Sequence, residues 1–239
     1  MGQTARFTGV RERATVRGIV GATEGRCVPS ERGVPGPRGP VLQQGRAIRT
    51  RERVLEAAVR QFAAGGYRGT SVKTIAAEAG VTDAGLLYHF PTKQDLLFAV
   101  LQRHLDEEAE AFERLRSAGG MAAIQGLVTW GEMMERDRAF TSLHLILSAE
   151  HLQDSSPVNE FFRQRYALFH AAIVDIAELA KADGVLRADL DTEAEATLCL
   201  SVLYGSRHPY FMTDGRVSIA ATLRYYVDTL LERAGMPNE

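Results

Sequence analysis

The sequence predicts an all-α protein in which a compact three-helix unit near the N-terminus precedes a larger helical bundle. Apolar residues recur at spacings of three and four along most of the chain after residue 50, which is the period of a helix face. Helix-capping residues precede these runs, and no segment shows the alternation of a strand. The hydrophobic content of 45% is typical of a globular protein, and no apolar run approaches the roughly 20 residues that cross a bilayer.

Residues 1–46 are expected to form a disordered N-terminal extension. The first 49 residues contain nine Gly, four Pro and nine Arg, and they show no sustained helical or strand period. No continuous apolar segment follows the charges, so the pattern does not predict a signal peptide.

A first helix is expected to open at Thr50 and to end at Gly65-Gly66, with an apolar stripe made of Val54, Leu55, Ala58 and Phe62. Ser71 is a good N-cap for a second helix, whose apolar face carries Val72, Ile75, Ala76 and Ala79. Gly80 follows at the C′ position, where left-handed dihedrals favour glycine.

A short third helix is predicted after Thr82, whose hydroxyl suits an N-cap and whose neighbour Asp83 complements the helix dipole. Phe90-Pro91 ends it, since a proline biases the preceding residue away from helical dihedrals. Thr92-Lys93-Gln94-Asp95 then fits a capping box ahead of a long amphipathic helix. Two helices joined by a turn of three or four residues are typical of DNA-binding helix-turn-helix proteins, although a helical hairpin inside any all-α protein has the same spacing.

Residues 50–101 resemble the N-terminal domain of the TetR family, the tetracycline-repressor-type regulators. The matching text is RERVLEAAVRQFAAGGYRGTSVKTIAAEAGVTDAGLLYHFPTKQDLLFAVL, whereas residues 102–239 match only as helical sequence of the expected length. The resemblance implies a TetR-type helix-turn-helix DNA-binding domain at 47–95 and a helical effector-binding and dimerisation domain at 96–239, after the extension at 1–46.

The resemblance also implies which residues contact DNA. The helix from Thr82 to about His89 would be the recognition helix. Its start would face base edges or phosphates, three residues near its end would contact phosphates, and the start of the preceding helix would meet the other side of the groove. The residues at its start are Thr82, Asp83, Ala84 and Gly85. The three near its end are Tyr88, His89 and Lys93. The residues at the start of the preceding helix are Thr70, Ser71 and Lys73. In the simpler alternative the hydroxyls are only caps, His89 packs beside Phe90, and Lys93 is solvated.

Two positions depart from the family pattern. Leu87 stands where many members carry a Tyr against the DNA backbone, so one phosphate contact is expected to be absent and Tyr88 to replace part of it. Asp83 stands where a basic residue is common. A carboxylate repels phosphates but can accept a hydrogen bond from cytosine N4.

The charge distribution places the basic residues at the N-terminal end. Residues 1–49 hold nine Arg against three Glu, residues 50–91 hold five basic against four acidic residues, and residues 92–239 hold fourteen basic against twenty-three acidic residues. Such a field steers the basic end toward phosphates and makes affinity fall with salt. The extension is then either an Arg-bearing arm that contacts DNA, or a spacer or part of an over-long gene model. We favour the interpretation as a spacer or over-long gene model over the arm.

From Leu96 onward the sequence predicts helices alone. Ser117 to Gly120 break the first of them, Ser156-Pro157 opens a long one that Asp183-Gly184 ends, and Thr192-Glu193-Ala194-Glu195 is expected to cap a very apolar one. Gly205 and Pro209 are expected to interrupt or end that helix. The other predicted helices span about 121–135, 139–151 and 217–233.

The middle helices carry candidates for an effector pocket, since apolar pockets with a few polar groups are usual small-molecule sites. These are Trp130, Met134, His144, Phe162, Tyr166, Phe169, Tyr204 and His208. The last two helices carry more apolar residues than surface helices need, and in this family two such helices form the subunit interface. Its candidates are Leu198, Val202, Leu223, Tyr226, Val227 and Leu230. For both sets the alternative is ordinary core packing.

An enzyme is the main rival class, and a helical carrier or signalling module without DNA binding is the second. No nucleophile elbow, Walker loop, dinucleotide fingerprint or HExxH pair is present. His144 and His151 are about 10.5 Å apart along one helix, too far to share a metal. We therefore expect no catalytic residue, no metal and no cofactor. Cys27 and Cys199 lie far apart and predict no disulfide, so a cytoplasmic protein is expected.

The sequence thus predicts a transcriptional regulator, a repressor that binds a near-palindromic operator in double-stranded DNA as a homodimer and is released by a small-molecule effector. The expected partners are DNA, the effector and a second copy of the chain, with no membrane. The sequence does not identify the effector, the operator or the regulated genes.

Overall fold

The computed structural model describes residues 40–153 and 155–235, which form nine α-helices and no named strand. The helices are α1 (Pro40–Gly69), α2 (Val72–Glu78), α3 (Asp83–His89), α4 (Lys93–Ser117), α5 (Gly120–Arg136), α6 (Arg138–Glu150), α7 (Pro157–Ala182), α8 (Thr192–Met212) and α9 (Ile219–Ala234). None of these helices is long and apolar enough to span a membrane. The predicted all-α class is confirmed for this part of the chain.

Helix α1 begins at Pro40, ten residues before the predicted start at Thr50. Gly66 breaks the helical run inside α1 with φ 68° and ψ 165°, so the predicted end at Gly65-Gly66 coincides with a real interruption. Residues 40–46 of the predicted extension are therefore helical. The remainder of that extension, with Cys27 and most of the proposed arm, lies outside the described residues.

Helices α1 to α3 and the first turns of α4 pack into a unit that we call the head. Its centre is made of fully buried side chains from all four helices: Leu55, Phe62, Ile75, Leu86 and Leu97. Each such side chain stabilises the folded state by about 1.5–3 kcal/mol relative to exposure, so this small unit gains enough to hold two short helices. Helices of seven residues would not be stable alone.

The predicted caps of the head are present. The Ser71 hydroxyl accepts from the Thr74 N–H, and the Thr82 hydroxyl accepts from the Gly85 N–H at 3.0 Å. Thr92 and Asp95 form the reciprocal capping box at the start of α4. Gly80 has φ 65° and makes the turn between α2 and α3. The turn chemistry in the sequence therefore fixed these helix boundaries.

Helices α4 to α9, after the first turns of α4, form the larger unit that we call the body. Phe112, Trp130 and Phe169 join α4, α5 and α7 through ring centroids 4.6–5.0 Å apart. Helices α5 and α9 approach closely at Gly131, where an added Cβ would lie 2.8 Å from the Ala220 Cα. Because Gly131 has no side chain, the α5 backbone can pack directly against the α9 backbone.

Two details of α8 differ from the prediction. Asp191, not Thr192, is the N-cap, since its carboxylate accepts from the Ala194 N–H while the Thr192 hydroxyl donates to Glu178. The helix also runs through Pro209 to Met212 rather than ending before it. A proline in the last turn removes one hydrogen bond, and the buried Arg207 and Tyr210 on either side hold that turn in the core.

Candidate functional site

Helices α2 and α3 bury one side in the head and present the other side to solvent. Ile75 and Leu86 have no exposed area, whereas the Tyr88 side chain is 84% exposed. Ser71, Lys73, Thr82, Asp83, Ala84 and Tyr88 are exposed, and Gly85 and His89 are partly exposed. We call this surface the reading face, and it contains eight of the ten residues that the sequence suggested for DNA contact.

The capping hydroxyls of the reading face can still donate. Thr82 accepts from the Gly85 N–H with its oxygen, which leaves its own O–H hydrogen for an outside acceptor. An added Cβ on Gly85 would lie 3.1 Å from the Thr82 Oγ1, so a side chain here would crowd the cap. Capping and outside contact are therefore compatible roles at Thr82.

Thr70 and Lys93 do not belong to the reading face in the way the sequence suggested. The Thr70 side chain is buried, and its hydroxyl contacts the backbone carbonyls of Gln61 and Gly66. The Lys93 ammonium donates to the carbonyls of Tyr67 at 2.9 Å and Thr70 at 3.0 Å. Both side chains thus serve the junction between α1 and α2, because the carbonyls at the end of α1 need donors.

The aromatic end of α3 is ordered by ring contacts. The His89 ring lies between Tyr88, at a centroid distance of 5.4 Å, and Phe90, at 6.4 Å. This supports the packing alternative for His89 and keeps the Tyr88 side chain pointing away from the core. Leu87 is 41% exposed beside them and offers no hydrogen bond where the family often has a hydroxyl.

One basic residue beside the reading face was missed. The Arg53 guanidinium is exposed on α1, and its Nη1 would lie 3.8 Å from a Cβ added to Gly80 in the turn between α2 and α3. The sequence did carry one sign that Arg53 lies at the surface of the head, because it directly precedes the core pair Val54-Leu55. Only the packing of α1 on the turn shows that the two segments meet.

A small cavity with room for about one water molecule lies between helices of the body. It is lined by Glu108, Met134, Phe140, Thr141, His144, Arg165 and Arg207. Of the eight predicted pocket residues, Met134 and His144 line it directly. Phe162 and Tyr204 lie one shell behind, with rings 4.7 Å and 6.4 Å from the His144 ring.

The other predicted pocket residues lie elsewhere. Trp130 and Phe169 pack in the aromatic cluster, although the Trp130 Nε1 donates to Glu108 at 3.1 Å. Tyr166 is 40% exposed and His208 is exposed. His208 therefore does not line the cavity, although its neighbour Arg207 does.

Sequence reasoning missed the charged residues of the cavity because it searched for aromatic and methionine side chains. A usable signal was the charge at a core position of an apolar stripe. Glu108 lies between Leu105 and Phe112, and Arg165 lies between Phe161 and Phe169, at spacings of three or four. A charge in such a register must be paired or functional, because burying it alone is costly.

Glu108 and Arg165 form a buried ion pair. The Arg165 Nη2 donates to both carboxylate oxygens at 2.7 Å, its Nε donates at 3.2 Å, and its Nη1 donates to the Tyr204 hydroxyl at 3.1 Å. Burial acts to lower the pKa of Arg165, but the adjacent Glu108 carboxylate raises it overall. This pair is therefore charged and internally neutral.

Arg207 and His144 form a second buried pair in the cavity wall, and this pair contains no carboxylate. Both are buried, with 3% and 5% exposed, and the Arg207 Nη1 donates to the His144 Nδ1 at 2.7 Å. Since an acceptor nitrogen cannot carry a proton, His144 is neutral with its hydrogen on Nε2. Burial, followed by the nearby Arg165 and Arg207 charges, lowers the pKa of His144 well below its ordinary value of 6.5. Burial and Arg165 lower the pKa of Arg207 to about 10, so it stays charged at neutral pH.

Three donor atoms of this pair have no acceptor among the described residues. They are Nε and Nη2 of Arg207 and Nε2 of His144. The cluster of Glu108, Arg165, Arg207 and neutral His144 therefore carries one uncompensated positive charge, because Arg165 already neutralises Glu108. Native proteins seldom leave such groups unpaired.

Helix α4 connects the cavity to the head. Glu108 lies in the cavity wall, and one turn earlier His104 stacks on Phe140 at a centroid distance of 3.5 Å and contacts the Asp137 carboxylate at 3.0 Å. This contact lowers the pKa of Asp137. Lys93, which holds the end of α1, begins the same helix. The distance along α4 from Lys93 to Glu108 is about 22 Å.

The predicted interface residues are mostly internal. Leu223, Tyr226, Val227 and Leu230 are at most 7% exposed, because α9 turns that side toward the rest of the body. Leu198 is 45% exposed and Val202 is partly exposed. The surface that α8 leaves uncovered consists of Leu198, Ser201, Val202, Gly205, His208 and Met212, and on α9 Tyr225 is 76% exposed. We call this set the α8–α9 face.

No group of three or more potential metal ligands lies together in the described part of the chain. Cys199 is a buried free cysteine, and burial raises the pKa of its thiol to about 12. Its thiolate is therefore scarce at neutral pH, which makes it a packing residue.

Comparison with known proteins agrees with this geometry. The family described as "Bacterial regulatory proteins, tetR family" matches residues 54–100. The transcriptional repressor KstR2 of Rhodococcus jostii (strain RHA1) is 23% identical over 197 residues, which cover 79% of this chain and 92% of that protein.

Solved structures show the same fold over most of the chain. A TetR transcription regulator from Haloarcula marismortui ATCC 43049 superposes with a TM-score of 0.68 at 20% identity and covers 78% of this chain and 98% of its own. SmeT, the repressor of the Stenotrophomonas maltophilia multidrug efflux pump SmeDEF, in its triclosan complex gives 0.66 at 19% identity and covers 79% and 93%. The head, over residues 54–100, therefore belongs to the tetR family of bacterial regulatory proteins, and the chain as a whole has the fold of solved TetR-family regulators.

Proposed function

We propose that this regulator is a repressor that binds a near-palindromic operator as a homodimer and leaves it when a small molecule enters the cavity of the body. The observation that carries the proposal is the reading face. It is a rigidly capped pair of short helices with Tyr88 84% exposed above a fully buried Leu86. A short exposed helix of this kind fits the major groove, where base edges can be read.

The contacts divide into two kinds. Thr82, Asp83 and Ala84 at the start of α3 are placed for base edges, whereas Lys73, Tyr88 and Arg53 surround them as phosphate contacts. Phosphate contacts set affinity and register, and base contacts set specificity. Lys93 and Thr70 support the face from behind through the α1–α2 junction.

Dimerisation is proposed through the α8–α9 face. Gly205 and Ser201 leave a shallow strip on α8 between Leu198 and Met212, both of which are well exposed. An added Cβ on Gly205 would meet nothing within 4 Å, so the fold of one chain does not require this glycine. A second chain packed closely on this strip would require it. A twofold dimer places two reading faces on half-sites about one helical turn, or a multiple, apart.

Release is proposed to follow a population shift. An effector that prefers a conformation with α4 displaced moves both reading faces out of register with the groove, and it shifts the equilibrium only by its differential affinity. The triclosan complex of SmeT shows a small molecule in a protein of this fold. Here the contacts of His104 and Glu108 on α4 are the links by which the cavity would act on the head.

Selection from a randomised duplex pool tests the proposal. The purified chain should enrich an inverted repeat at low salt, and Tyr88→Ala should lower affinity for the enriched sequence about tenfold, since a charge-assisted phosphate contact is worth roughly 1–1.5 kcal/mol. Arg114→Ala, on an exposed basic residue at the far end of α4, is the control and should change nothing. Enrichment of no sequence by a folded sample, or of direct rather than inverted repeats, would refute the proposal.

A further inference from the structure

The buried polar cluster of the cavity identifies the chemical class of the effector. The inference rests on the proposed effector role of this cavity and adds what the cavity binds. We propose that the effector is a small amphiphilic carboxylate whose anionic group is bound by Arg207 and His144.

The donors of the cavity call for an acceptor. The Arg207 Nε and Nη2 atoms and the His144 Nε2 atom are buried and have no acceptor among the described residues. The tautomer of His144 is set by the Arg207 Nη1 bond, so its free nitrogen is a donor as well. All unpaired groups of the pair are therefore donors, and a carboxylate can accept from two N–H groups of one guanidinium at once.

The charge balance points the same way. Glu108 accepts from the Arg165 Nη2 with both oxygens and from the Trp130 Nε1 but makes no hydrogen bond to Arg207, so the free N–H groups of Arg207 stay without an acceptor. The guanidinium of Arg207 lies above the Tyr204 ring at 4.4 Å, which is a weak substitute for an anion. A bound carboxylate would complete the cluster to net neutrality, whereas a cation would add to an existing positive charge.

The remaining walls of the cavity indicate the chemistry of the rest of the ligand. The enclosed space has room for about one water molecule, so the apolar part of a ligand enters only where the side chains of the wall move aside. Met134 and Phe140 supply the apolar part of the wall, and the Thr141 hydroxyl donates to the Met134 carbonyl. The walls thus pair one anionic group with one apolar ring or short chain.

The test compares carboxylates with their neutral amides on the full chain without DNA. Benzoate, cyclohexanecarboxylate and hexanoate are titrated by calorimetry beside benzamide, cyclohexanecarboxamide and hexanamide. We expect at least one acid to bind roughly 100-fold more tightly than its amide, since the partner of a buried charge is lost in the amide. That acid should raise Tm by roughly 5 °C at about 100 times its Kd. Equal binding of an acid and its amide, or binding of none of the three acids at millimolar concentration, overturns the inference.

Arg207→Met provides an independent measurement. Methionine keeps much of the length of the side chain and removes the unpaired charge, so the variant should abolish the preference for acid over amide while its own Tm without ligand stays equal or rises. A purely structural arginine would instead lower Tm and leave the preference intact. Arg163→Met, which makes the same substitution at an exposed arginine of α7, is the matched control and should retain both. The comparison of acid and amide on the unmodified chain decides the question even if Arg207→Met does not fold.

The result is separable from the proposed function. An operator bound by a chain that ignores every carboxylate defeats this inference alone, whereas a carboxylate bound by a chain that selects no DNA sequence defeats the proposed function alone.

Discussion

Lys93→Met separates a structural lysine from a phosphate contact. The Lys93 ammonium donates to the Tyr67 and Thr70 carbonyls at 2.9 Å and 3.0 Å and lies 4.5 Å from the centre of the Tyr67 ring. Each part-buried bond is worth about 1 kcal/mol, and the contact with the ring is worth about 0.5 kcal/mol. We therefore expect the free energy of unfolding to fall by about 2.5 kcal/mol, measured by urea unfolding at constant m value.

The salt dependence of operator binding is the second half of this test. Lys73 is exposed on the reading face, so Lys73→Ala should reduce the slope of log K against log [salt] by about 0.9, with stability changed by less than about 0.5 kcal/mol. Lys93→Met should leave the slope unchanged and lose stability. A Lys93→Met protein with unchanged stability and a slope reduced by about 0.9 would refute the structural role and restore the phosphate contact.

Three other predictions follow from the body. Gly205→Leu should weaken the dimer at least tenfold in sedimentation equilibrium. It should not lower the stability of the monomer, because leucine has the higher helix propensity and the site is open within one chain. An unchanged dimer dissociation constant would place the interface elsewhere. Gly131→Ala should cost about 1–3 kcal/mol in urea unfolding, because its Cβ would meet the Ala220 backbone, while the control Gly126→Ala should cost less because it meets only the movable Leu115 side chain; equal costs contradict the close approach of α5 and α9. His144 stays unprotonated in the folded state, so below pH 6.5 only the unfolded chain gains a proton at this residue. The free energy of unfolding should therefore fall by up to about 1.4 kcal/mol per pH unit between pH 6.5 and 5. His144→Gln should remove this slope, whereas the control His208→Gln should keep it.

The head was predictable because its local signals agree with one another. Ser71, Gly80 and Thr82 each occupy a cap or turn position that only a few residue types fill well, and the apolar stripe of α1 fits the same packing. The start of α1 was wrong because glycine and proline composition was weighed above the helical capacity of residues 40–49. Composition describes an average over a segment and does not exclude a helix within it.

The sites were less predictable because side-chain direction is a tertiary property. Lys93 lies at a position where a free lysine would reach phosphate, but the α1 carbonyls lie within its reach and need donors. Leu223 and Leu230 are as apolar as interface residues, and the rotation of α9 about its own axis decides whether they face their own chain or another. Arg207 lies in an apolar run that no short motif distinguishes, so its unpaired state became visible only with the cavity.

Directional contacts on α4 explain how a small ligand could control a distant DNA-binding surface. An apolar wall adapts gradually to a ligand, but the bonds of Glu108 to Arg165 and of His104 to Asp137 are either formed or broken. An anion bound by Arg207 would compete with Glu108 for the nearby guanidinium groups, and any displacement of Glu108 moves the helix that carries it. Since the same helix begins with the Lys93 clamp on the end of α1, the displacement would reach the junction that positions α2. We therefore expect Lys93→Met to weaken the coupling between carboxylate and operator as well as the fold of the head. Comparing the operator Kd with and without saturating carboxylate in this variant measures the coupling directly, and an unchanged ratio would mean that the signal travels by another route.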